Sequence, residues 1–228
     1  MQIPCSIHIT NEECSGLYPI NWKITNRPCL VVGGGRIACR KSAGLLQAGA
    51  AVTVIAPEAE PPVHEWAGQG KIQWIQRSYN KGDAGHFDLV VSACGNRGTA
   101  LQIAQDTEGK NILWNAADYP EMGSCTLPAR FCRGSLMITV STEGHSPALS
   151  REICRRLEEE IPPLYGEWLD RLSSLRQEMK TAVKNPADRE KFWHQAFSRD
   201  ISALVNAGNL KEAEARIRYA ISRFRSKS

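Results

Sequence analysis

Apolar and polar positions alternate in blocks along residues 28–115. Five short apolar runs, each of a length suited to a buried strand, are separated by polar stretches with helical spacing. The runs are PCLVVG, AVTVIA, KIQWIQ, FDLVVSA and NILWNA, and the clearest helical patterns cover residues 36–48 and 98–108. Strands that alternate with helices in this way favour a parallel sheet with helices on its faces.

The pattern changes at Cys125. The runs CTLPARFC and SLMITVST predict two further strands joined across Arg133-Gly134, and the chain beyond Gly144 is almost entirely helical in pattern. The predicted helices cover residues 147–160, 164–182, 188–206 and 209–224, with breaks at Pro162-Pro163, Asn185-Pro186 and Gly208-Asn209. We therefore divide the chain into an extension of unassigned role (1–17), an α/β domain (18–124), a β-containing segment (125–160) and a helical domain (161–228).

A glycine-rich turn follows the first predicted strand. Gly33-Gly34-Gly35 with Ala38 fits the pattern G-x-G-x-x-A. In this pattern Gly33 permits a tight turn, and Gly35 lets the backbone approach a pyrophosphate. The following helix would direct its free N–H groups at the phosphates. A glycine-rich turn with a purely structural role is the alternative. Because this turn lies between a strand and a helix, we predict a Rossmann-type, doubly wound parallel sheet that binds a dinucleotide.

The end of the second predicted strand bears on the choice of dinucleotide. An acidic residue usually binds the ribose hydroxyls there, whereas an arginine would receive the 2′-phosphate of NADP. Here the strand ends in Ile55-Ala56-Pro57-Glu58, so the carboxylate comes late and no arginine is present. This favours NAD over NADP.

Two further positions carry candidate chemistry. Asp118 follows the fifth strand, on the edge of the sheet where ligands bind, and could act as a general base. By position alone, a cap for the turn before Tyr119-Pro120 is favoured. Ser146-Pro147 has the pattern of a helix start, and a plain helix start is the stronger interpretation. The functional alternative is an anion site for a substrate carboxylate, with His145 as a donor.

Composition narrows the class of protein. The chain is 42% hydrophobic and 23% charged, and it has no apolar stretch of membrane-spanning length and no signal-peptide pattern. Its eight cysteines include no C-x-x-C pair. We therefore expect a cytoplasmic protein without disulfides, without membrane attachment and without a metal site.

Positive charge is concentrated near the end of the sequence. Residues 181–228 hold ten Lys/Arg against five Asp/Glu, within a net charge of +4. Such a tail can bind nucleic acid or a polyanionic small molecule, or it can be a solvated helix end. No clear helix-turn-helix is present, so we expect no nucleic-acid partner. The last predicted helix has an apolar stripe flanked by basic residues. The stripe comprises Leu210, Ala213, Ile217, Ala220, Ile221 and Phe224, and the flanking residues are Arg216, Arg218, Arg223, Arg225 and Lys227.

Three motifs in order resemble a known family. The stretches YPINWKITNRPCLVVGGGRIACRKSAGLLQAGAAVTVIAPE, NAADYPE…CTLPA and GSLMITVSTEGHSPALSREIC are similar to the precorrin-2 dehydrogenase family of siroheme synthesis. That family includes stand-alone dehydrogenases, dehydrogenase/ferrochelatase proteins and the N-terminal part of fused siroheme synthases. The resemblance runs from about Leu17 to Glu160 and continues more loosely through the helical tail.

The resemblance implies a specific activity and site. Members oxidise precorrin-2 to sirohydrochlorin with NAD, as homodimers whose active site lies between a Rossmann domain, a dimerisation segment (here 125–160) and a helical domain. The catalytic aspartate falls on Asp118, which reverses the positional preference for a turn cap. The substrate candidates are His145 and Ser146 of the helix start described above, which lie within the third matched motif. The implied NAD contacts are Gly33, Gly34, Gly35, Arg36, Ile37, Pro57, Glu58, Ala93 and Cys94.

One departure and three alternatives accompany the resemblance. Many relatives read ATDD or ATN where this chain reads ACGN, so Cys94 replaces a threonine. Some relatives also insert Fe²⁺ into sirohydrochlorin, and we expect that chelatase activity to be weak or absent here. The remaining alternatives are a non-catalytic NAD-sensing regulator and a tetrapyrrole carrier, and the retained Asp118 argues against the carrier.

Overall fold

The computed structural model describes residues 16–225, which form two compact units that divide between Leu127 and Pro128. Residues 1–15 of the predicted extension and Lys227 lie outside this description, as does the side chain of Arg225. We call the two parts unit 1 (up to Leu127) and unit 2 (from Pro128).

Unit 1 is built on a five-stranded parallel sheet in the order β3-β2-β1-β4-β5. The strands are β1 (Pro28–Val32), β2 (Ala51–Ile55), β3 (Ile72–Ile75), β4 (Leu89–Ser92) and β5 (Leu113–Ala116). Each of the five apolar runs forms one strand, which confirms the predicted doubly wound α/β fold.

The helices of unit 1 cover both faces of this sheet. They are α1 (Arg36–Gln47), α2 (Pro61–Gly68) and α3 (Arg97–Thr107). Alternate residues of β1 enter different cores: Cys29 and Val31 pack with residues of α1 and α2, whereas Leu30 and Val32 pack with residues of α3. Burial on both faces explains why the strands are continuous apolar runs.

The chain changes direction across the sheet between β1 and β4. From β1 it proceeds to β2 and β3 on one side, and it then returns to β4, which pairs with β1 on the other side. Ligands of open α/β sheets bind at the carboxyl ends of the strands beside such a switch point. The fold therefore places the glycine turn after β1 and the loop after β4 side by side.

Unit 2 begins with an antiparallel hairpin of β6 (Ala129–Arg133) and β7 (Leu136–Val140), as the sequence predicts. The hairpin is followed, up to residue 225, by the helices α4 (Pro147–Glu160), α5 (Leu164–Ala182), α6 (Pro186–Ala196), α7 (Arg199–Asn206) and α8 (Leu210–Arg225). The prediction of a single helix over residues 188–206 is wrong. This segment forms two helices, because Ser198 adopts an extended conformation and starts α7. The break lets Phe192 of α6 and Ile201 of α7 both enter the core.

The predicted apolar stripe of α8 is confirmed. Leu210, Ala213, Ile217 and Ile221 are buried in the core of unit 2, and Ala220 and Phe224 pack against it. Two of the flanking arginines form ion pairs within the unit: Arg216 with Glu212, and Arg218 with Glu178 and Glu214.

Arg133 connects the hairpin of unit 2 to the end of α4. Its Nε donates to the carbonyl of Ile161 at 2.9 Å and its Nη2 to the carbonyl of Glu158 at 3.0 Å. Its side chain is only 17% exposed. A cation there satisfies carbonyls that the helix leaves unpaired and complements the negative end of the helix dipole.

We expect Arg133→Met to lower the free energy of unfolding by about 2 kcal/mol, because it leaves these carbonyls without a donor. Chemical denaturation measures the change. Arg156→Met is the matched control, since Arg156 is 69% exposed and pairs with Glu152 of its own helix. Equal stability of the two variants would contradict the capping role of Arg133.

Candidate active site

The first two glycines of the turn after β1 are required by the backbone itself. Gly33 has φ +122°, in the region that favours glycine, and a Cβ there would overlap the carbonyl of Ala93. A Cβ at Gly34 would overlap the carbonyl oxygen of Glu58. These two glycines therefore let the turn pack directly against the loops that follow β4 and β2.

Gly35 differs from its neighbours. Its backbone is extended (φ −76°, ψ −177°), which any residue can adopt, and nothing lies within 4 Å of a Cβ placed there. The protein's own packing therefore does not require glycine at this position. A pyrophosphate can approach the backbone closely at Gly35 because the space there is open.

The N-terminus of α1 is suited to an anion. Gly35 caps the helix without a side-chain hydrogen bond, and the first turn has no acidic residue. Its N–H groups and the positive end of the helix dipole are thus available to phosphate oxygens. Arg36 and Ile37, two of the predicted cofactor contacts, lie here with exposed side chains.

A cavity of about 460 Å³ lies over this turn. That volume falls within the usual range for small-molecule and cofactor sites. Seven of the predicted cofactor residues line it: Gly33, Gly34, Gly35, Pro57, Glu58, Ala93 and Cys94. Arg36 and Ile37 are not among the lining residues. The geometry therefore brings the residues after β1, β2 and β4 together around one space, and it fits an extended phosphate-bearing ligand.

Sequence reasoning missed four polar residues that line the same cavity: Ser78, Tyr79, Asn96 and Thr99. The sequence did indicate a role for Asn96 as a helix cap, since it precedes a predicted helix. In the structure its Oδ1 accepts from the N–H of Thr99 at 3.0 Å and caps α3. Ser78 and Tyr79 had no such signal, because they belong to the long connection from β3 to β4.

Tyr79 is held by a buried hydrogen-bond network. Its hydroxyl donates to Oδ2 of Asp106 at 2.6 Å and accepts from the N–H of Ala84 at 3.2 Å. Burial, and then the bond to Asp106, raise the pKa of the Tyr79 hydroxyl. The connection from β3 to β4 is also stabilised by the pair Arg77–Asp83, which forms two hydrogen bonds of 2.6 and 2.9 Å. This wall of the cavity is therefore fixed rather than loose.

Asp118 lies in the loop after β5 and is exposed. Its Oδ2 accepts from the N–H of Gly95 at 2.7 Å, so the carboxylate reaches the neighbouring loop after β4 instead of capping its own turn. That loop also carries Ala93 and Cys94, which line the cavity. The structure thus places a carboxylate beside the loop that borders the cavity.

The loop that carries Asp118 is closed at its base. Trp114 donates its N–H to Oγ of Ser124 at 2.9 Å, and its carbonyl accepts from the N–H groups of Ser124 and Cys125. Asn115 donates from Nδ2 to the carbonyl of Cys125 at 3.0 Å. These bonds hold the two ends of the loop together at β5.

His145 and Ser146 lie in unit 2, at the start of α4. Ser146 caps the helix by accepting from the N–H of Leu149 at 3.2 Å, and Pro147 is its first residue, as predicted. His145 is exposed, with Nδ1 3.0 Å from the carbonyl of Thr142. The helix start is therefore confirmed, while the substrate role stays a prediction.

Residues 16–225 contain neither a cluster of metal-binding side chains nor a helix suited to crossing a membrane. No group of three or more His, Cys, Asp or Glu side chains there is arranged to hold a metal ion. None of the helices within the same range is both long and apolar enough to span a membrane.

Family models match most of the chain. Residues 20–129 match a family described as "Putative NAD(P)-binding", and residues 164–221 match one described as "Sirohaem synthase dimerisation region". The siroheme synthase of Methylococcus capsulatus is 34% identical over 196 residues. The chain belongs to the siroheme synthase N-terminal family. The matched dimerisation region lies within our helical domain, C-terminal to the segment 125–160.

Other members and a solved structure extend this comparison. The siroheme synthase of Nitrosococcus oceani is 34% identical over 203 residues, which cover 89% of this chain and 43% of that protein. The alignment with the M. capsulatus protein covers 86% of this chain and 41% of that one, so the chain spans about two-fifths of these relatives. The structure of SirC, a precorrin-2 dehydrogenase, superposes with a TM-score of 0.71 at 24% identity, covering 89% of this chain and 100% of that one. It supports the same fold.

Proposed function

We propose that this chain is an NAD-dependent dehydrogenase that oxidises precorrin-2 to sirohydrochlorin. The observation that carries the proposal is the bond of Asp118 to Gly95, because it holds a carboxylate against the loop whose Ala93 and Cys94 line the cavity. An acceptor for a proton thereby stands next to a space suited to a dinucleotide. Membership of the siroheme synthase family and the resemblance to precorrin-2 dehydrogenases favour this substrate.

The cofactor would be held along the carboxyl ends of the strands. Gly35 and the first turn of α1 would bind the pyrophosphate, since Gly35 has open space and the helix N–H groups lack a side-chain cap. The exposed Glu58 after β2 would accept hydrogen bonds from the ribose hydroxyls of the adenosine half. A carboxylate there repels a 2′-phosphate, which favours NAD over NADP.

The two halves of the dinucleotide would occupy opposite ends of the cavity. Because Glu58 marks the adenosine half on the β2 side, the nicotinamide would lie towards Ala93 and Cys94 on the β4 side. Asp118, after β5, is next to this second end. The assignment brings the proposed base and the reactive half of the cofactor to the same side of the site.

The reaction removes two hydrogens from precorrin-2, one as a hydride and one as a proton. NAD⁺ supplies the hydride acceptor. Oδ2 of Asp118 is engaged by the N–H of Gly95, so Oδ1 is the atom that would take the proton from the substrate. Gly95 thus orients the carboxylate while its second oxygen performs the acid–base step.

The carboxylates of the substrate need hydrogen-bond donors and positive charge on the protein to bind them. We propose that His145 and the N-terminus of α4 at Ser146 bind one of them, since His145 is exposed and the helix start is favourable for an anion. Arg216 and Arg218 are engaged by glutamates of unit 2, so we do not assign them to the substrate.

We propose that the protein works as a homodimer and that the segment 125–160 contributes to the contact between subunits. The hairpin of β6 and β7 supports this, because within residues 16–225 it forms a sheet of only two strands. Such a hairpin is marginal by itself, and its edges are available for pairing. The family described as a dimerisation region also matches residues 164–221.

Light scattering at micromolar concentration is expected to give the mass of two 25.2 kDa chains. Replacing an edge residue of the hairpin such as Met137, which is 47% exposed, with lysine should shift the protein towards the monomer. Leu101→Lys is the control, at a 49% exposed position of α3 that lies outside both the segment 125–160 and the matched dimerisation region. A monomeric wild-type protein would contradict the dimer.

The proposed activity is tested by mixing the protein with precorrin-2 anaerobically, with and without NAD⁺. The absorbance spectrum should change to that of sirohydrochlorin only when both protein and NAD⁺ are present. A spectrum that does not change, from a protein that binds NAD, would refute the activity and favour a carrier or sensor.

A further inference from the structure

Gly95 is held from both sides by two consecutive residues of the loop after β5. Its N–H donates to Oδ2 of Asp118 at 2.7 Å, and its carbonyl accepts from the hydroxyl of Tyr119 at 3.3 Å. Both peptide groups next to Gly95 are thus fixed by the loop that carries the proposed base. We call this arrangement the Gly95 clamp.

The conformation of Gly95 makes the clamp possible. Its φ of +65° lies in the left-handed region, which glycine adopts without steric cost. Nothing lies within 4 Å of a Cβ placed on Gly95, so this glycine is not required by close packing. Its backbone conformation, which directs both polar groups to the neighbouring loop, accounts for glycine at this position.

Tyr119 is itself held in place. Its ring packs, partly buried, against the core on the α3 face of the sheet. The guanidinium of Arg97 lies 5.7 Å from the centre of that ring, within the range of a cation–π contact. Tyr119 therefore offers its hydroxyl to Gly95 from a fixed position, and the bond costs little conformational entropy.

The other side of the clamp leads directly to the cofactor cavity. Ala93 and Cys94 line the cavity, and Ala93 donates its N–H to the carbonyl of Val32 in β1 at 2.8 Å. Residues 93–95 are thus tied to β1 at one end and to Asp118 and Tyr119 at the other. A displacement of Gly95 would change the position of the carboxylate relative to the cavity.

We propose that Tyr119 is a positioning residue, which holds Gly95 so that its N–H orients the carboxylate of Asp118 towards the substrate. The inference rests on the proposed function, in which Asp118 is the base. Tyr119 does not touch the reacting atoms. It acts by fixing the peptide that binds one oxygen of Asp118, so that the other oxygen meets the proton to be removed.

Tyr119→Phe tests the proposal, because it removes the hydroxyl and keeps the ring. We expect kcat to fall by about three- to tenfold, the effect of losing one hydrogen bond, with the dissociation constant of NAD unchanged within about twofold. Tyr165→Phe is the matched control. It removes a hydroxyl that donates to Asn206 within unit 2 at 2.9 Å, and it should leave kcat unchanged.

A double variant separates positioning from a general structural role. If Tyr119 acts through Asp118, Asp118→Asn with Tyr119→Phe should react no more slowly than Asp118→Asn alone in single-turnover measurements. Multiplication of the two effects, or a weakening of NAD binding equal to the loss in kcat, would overturn the proposal.

Amide hydrogen exchange tests the clamp independently of activity. The N–H of Gly95 should exchange about three- to tenfold faster in Tyr119→Phe than in the wild-type protein. Unchanged exchange would show that Tyr119 does not hold Gly95, and it would overturn the inference even in an active enzyme. A wild-type protein that shows the clamp by exchange but does not oxidise precorrin-2 would refute the proposed function and, with it, the catalytic part of this inference.

Discussion

Replacing Asp118 with asparagine is expected to slow precorrin-2 oxidation by roughly 10²–10⁴-fold, the usual contribution of a general base. An amide cannot take up the proton. Its oxygen can still accept from the N–H of Gly95, which keeps the loop in place. NAD should therefore bind as in the wild-type protein, and the loss should appear in kcat.

Glu121→Gln is the matched control for this variant. Glu121 is an exposed carboxylate three residues further along the same loop, and the same chemical change there should leave the rate unaltered. If Asp118→Asn reacted as fast as the wild-type enzyme, Asp118 would be only a ligand of Gly95, and the base would have to be sought elsewhere.

Gly35→Val is expected to weaken NAD binding at least tenfold, about 1.4 kcal/mol. The new side chain would occupy the space next to the N-terminus of α1 that the pyrophosphate needs. The fold should be retained, because the extended backbone of Gly35 suits a β-branched residue and nothing lies within 4 Å of a Cβ there. Calorimetric titration with NAD measures the effect.

Gly68→Val provides the comparison for Gly35→Val. Gly68 ends α2, and nothing lies within 4 Å of a Cβ at that position either. It is not among the residues that line the cavity. Both variants should give the circular dichroism spectrum of the wild-type protein, and only Gly35→Val should lose affinity. Unchanged NAD binding in folded Gly35→Val would remove the pyrophosphate from this turn.

The sheet could be predicted from the sequence because its strands are buried on both faces. Burial of this kind turns each strand into a short apolar run, and each run became one strand. The helices of unit 2 were harder to predict from the sequence. The pattern over 188–206 continues through Phe197-Ser198, and only the packing of Phe192 and Ile201 in one core shows why the helix breaks there.

The candidate site, like the fold, could be predicted from the sequence only in part. The glycine turn was visible because phosphate binding imposes glycines at fixed spacing between a strand and a helix. The resemblance supplied Ala93 and Cys94, which line the cavity. Tyr79 was not predictable, since its place in the wall depends on a hydrogen bond to Asp106, which is distant in sequence. The Gly95 clamp was hidden for the same reason, because it joins two loops that meet only in the folded sheet.

The proposed function as a whole is tested most directly by the stoichiometry of one anaerobic reaction. Precorrin-2 and NAD⁺ are mixed with the purified protein, and sirohydrochlorin and NADH are quantified in the same sample over time. Equal amounts of the two products, formed rapidly by the wild-type protein and at least a hundredfold more slowly by Asp118→Asn, are predicted. Formation of sirohydrochlorin without NADH, or at the same rate in both proteins, would contradict hydride transfer to NAD⁺ with Asp118 as the base.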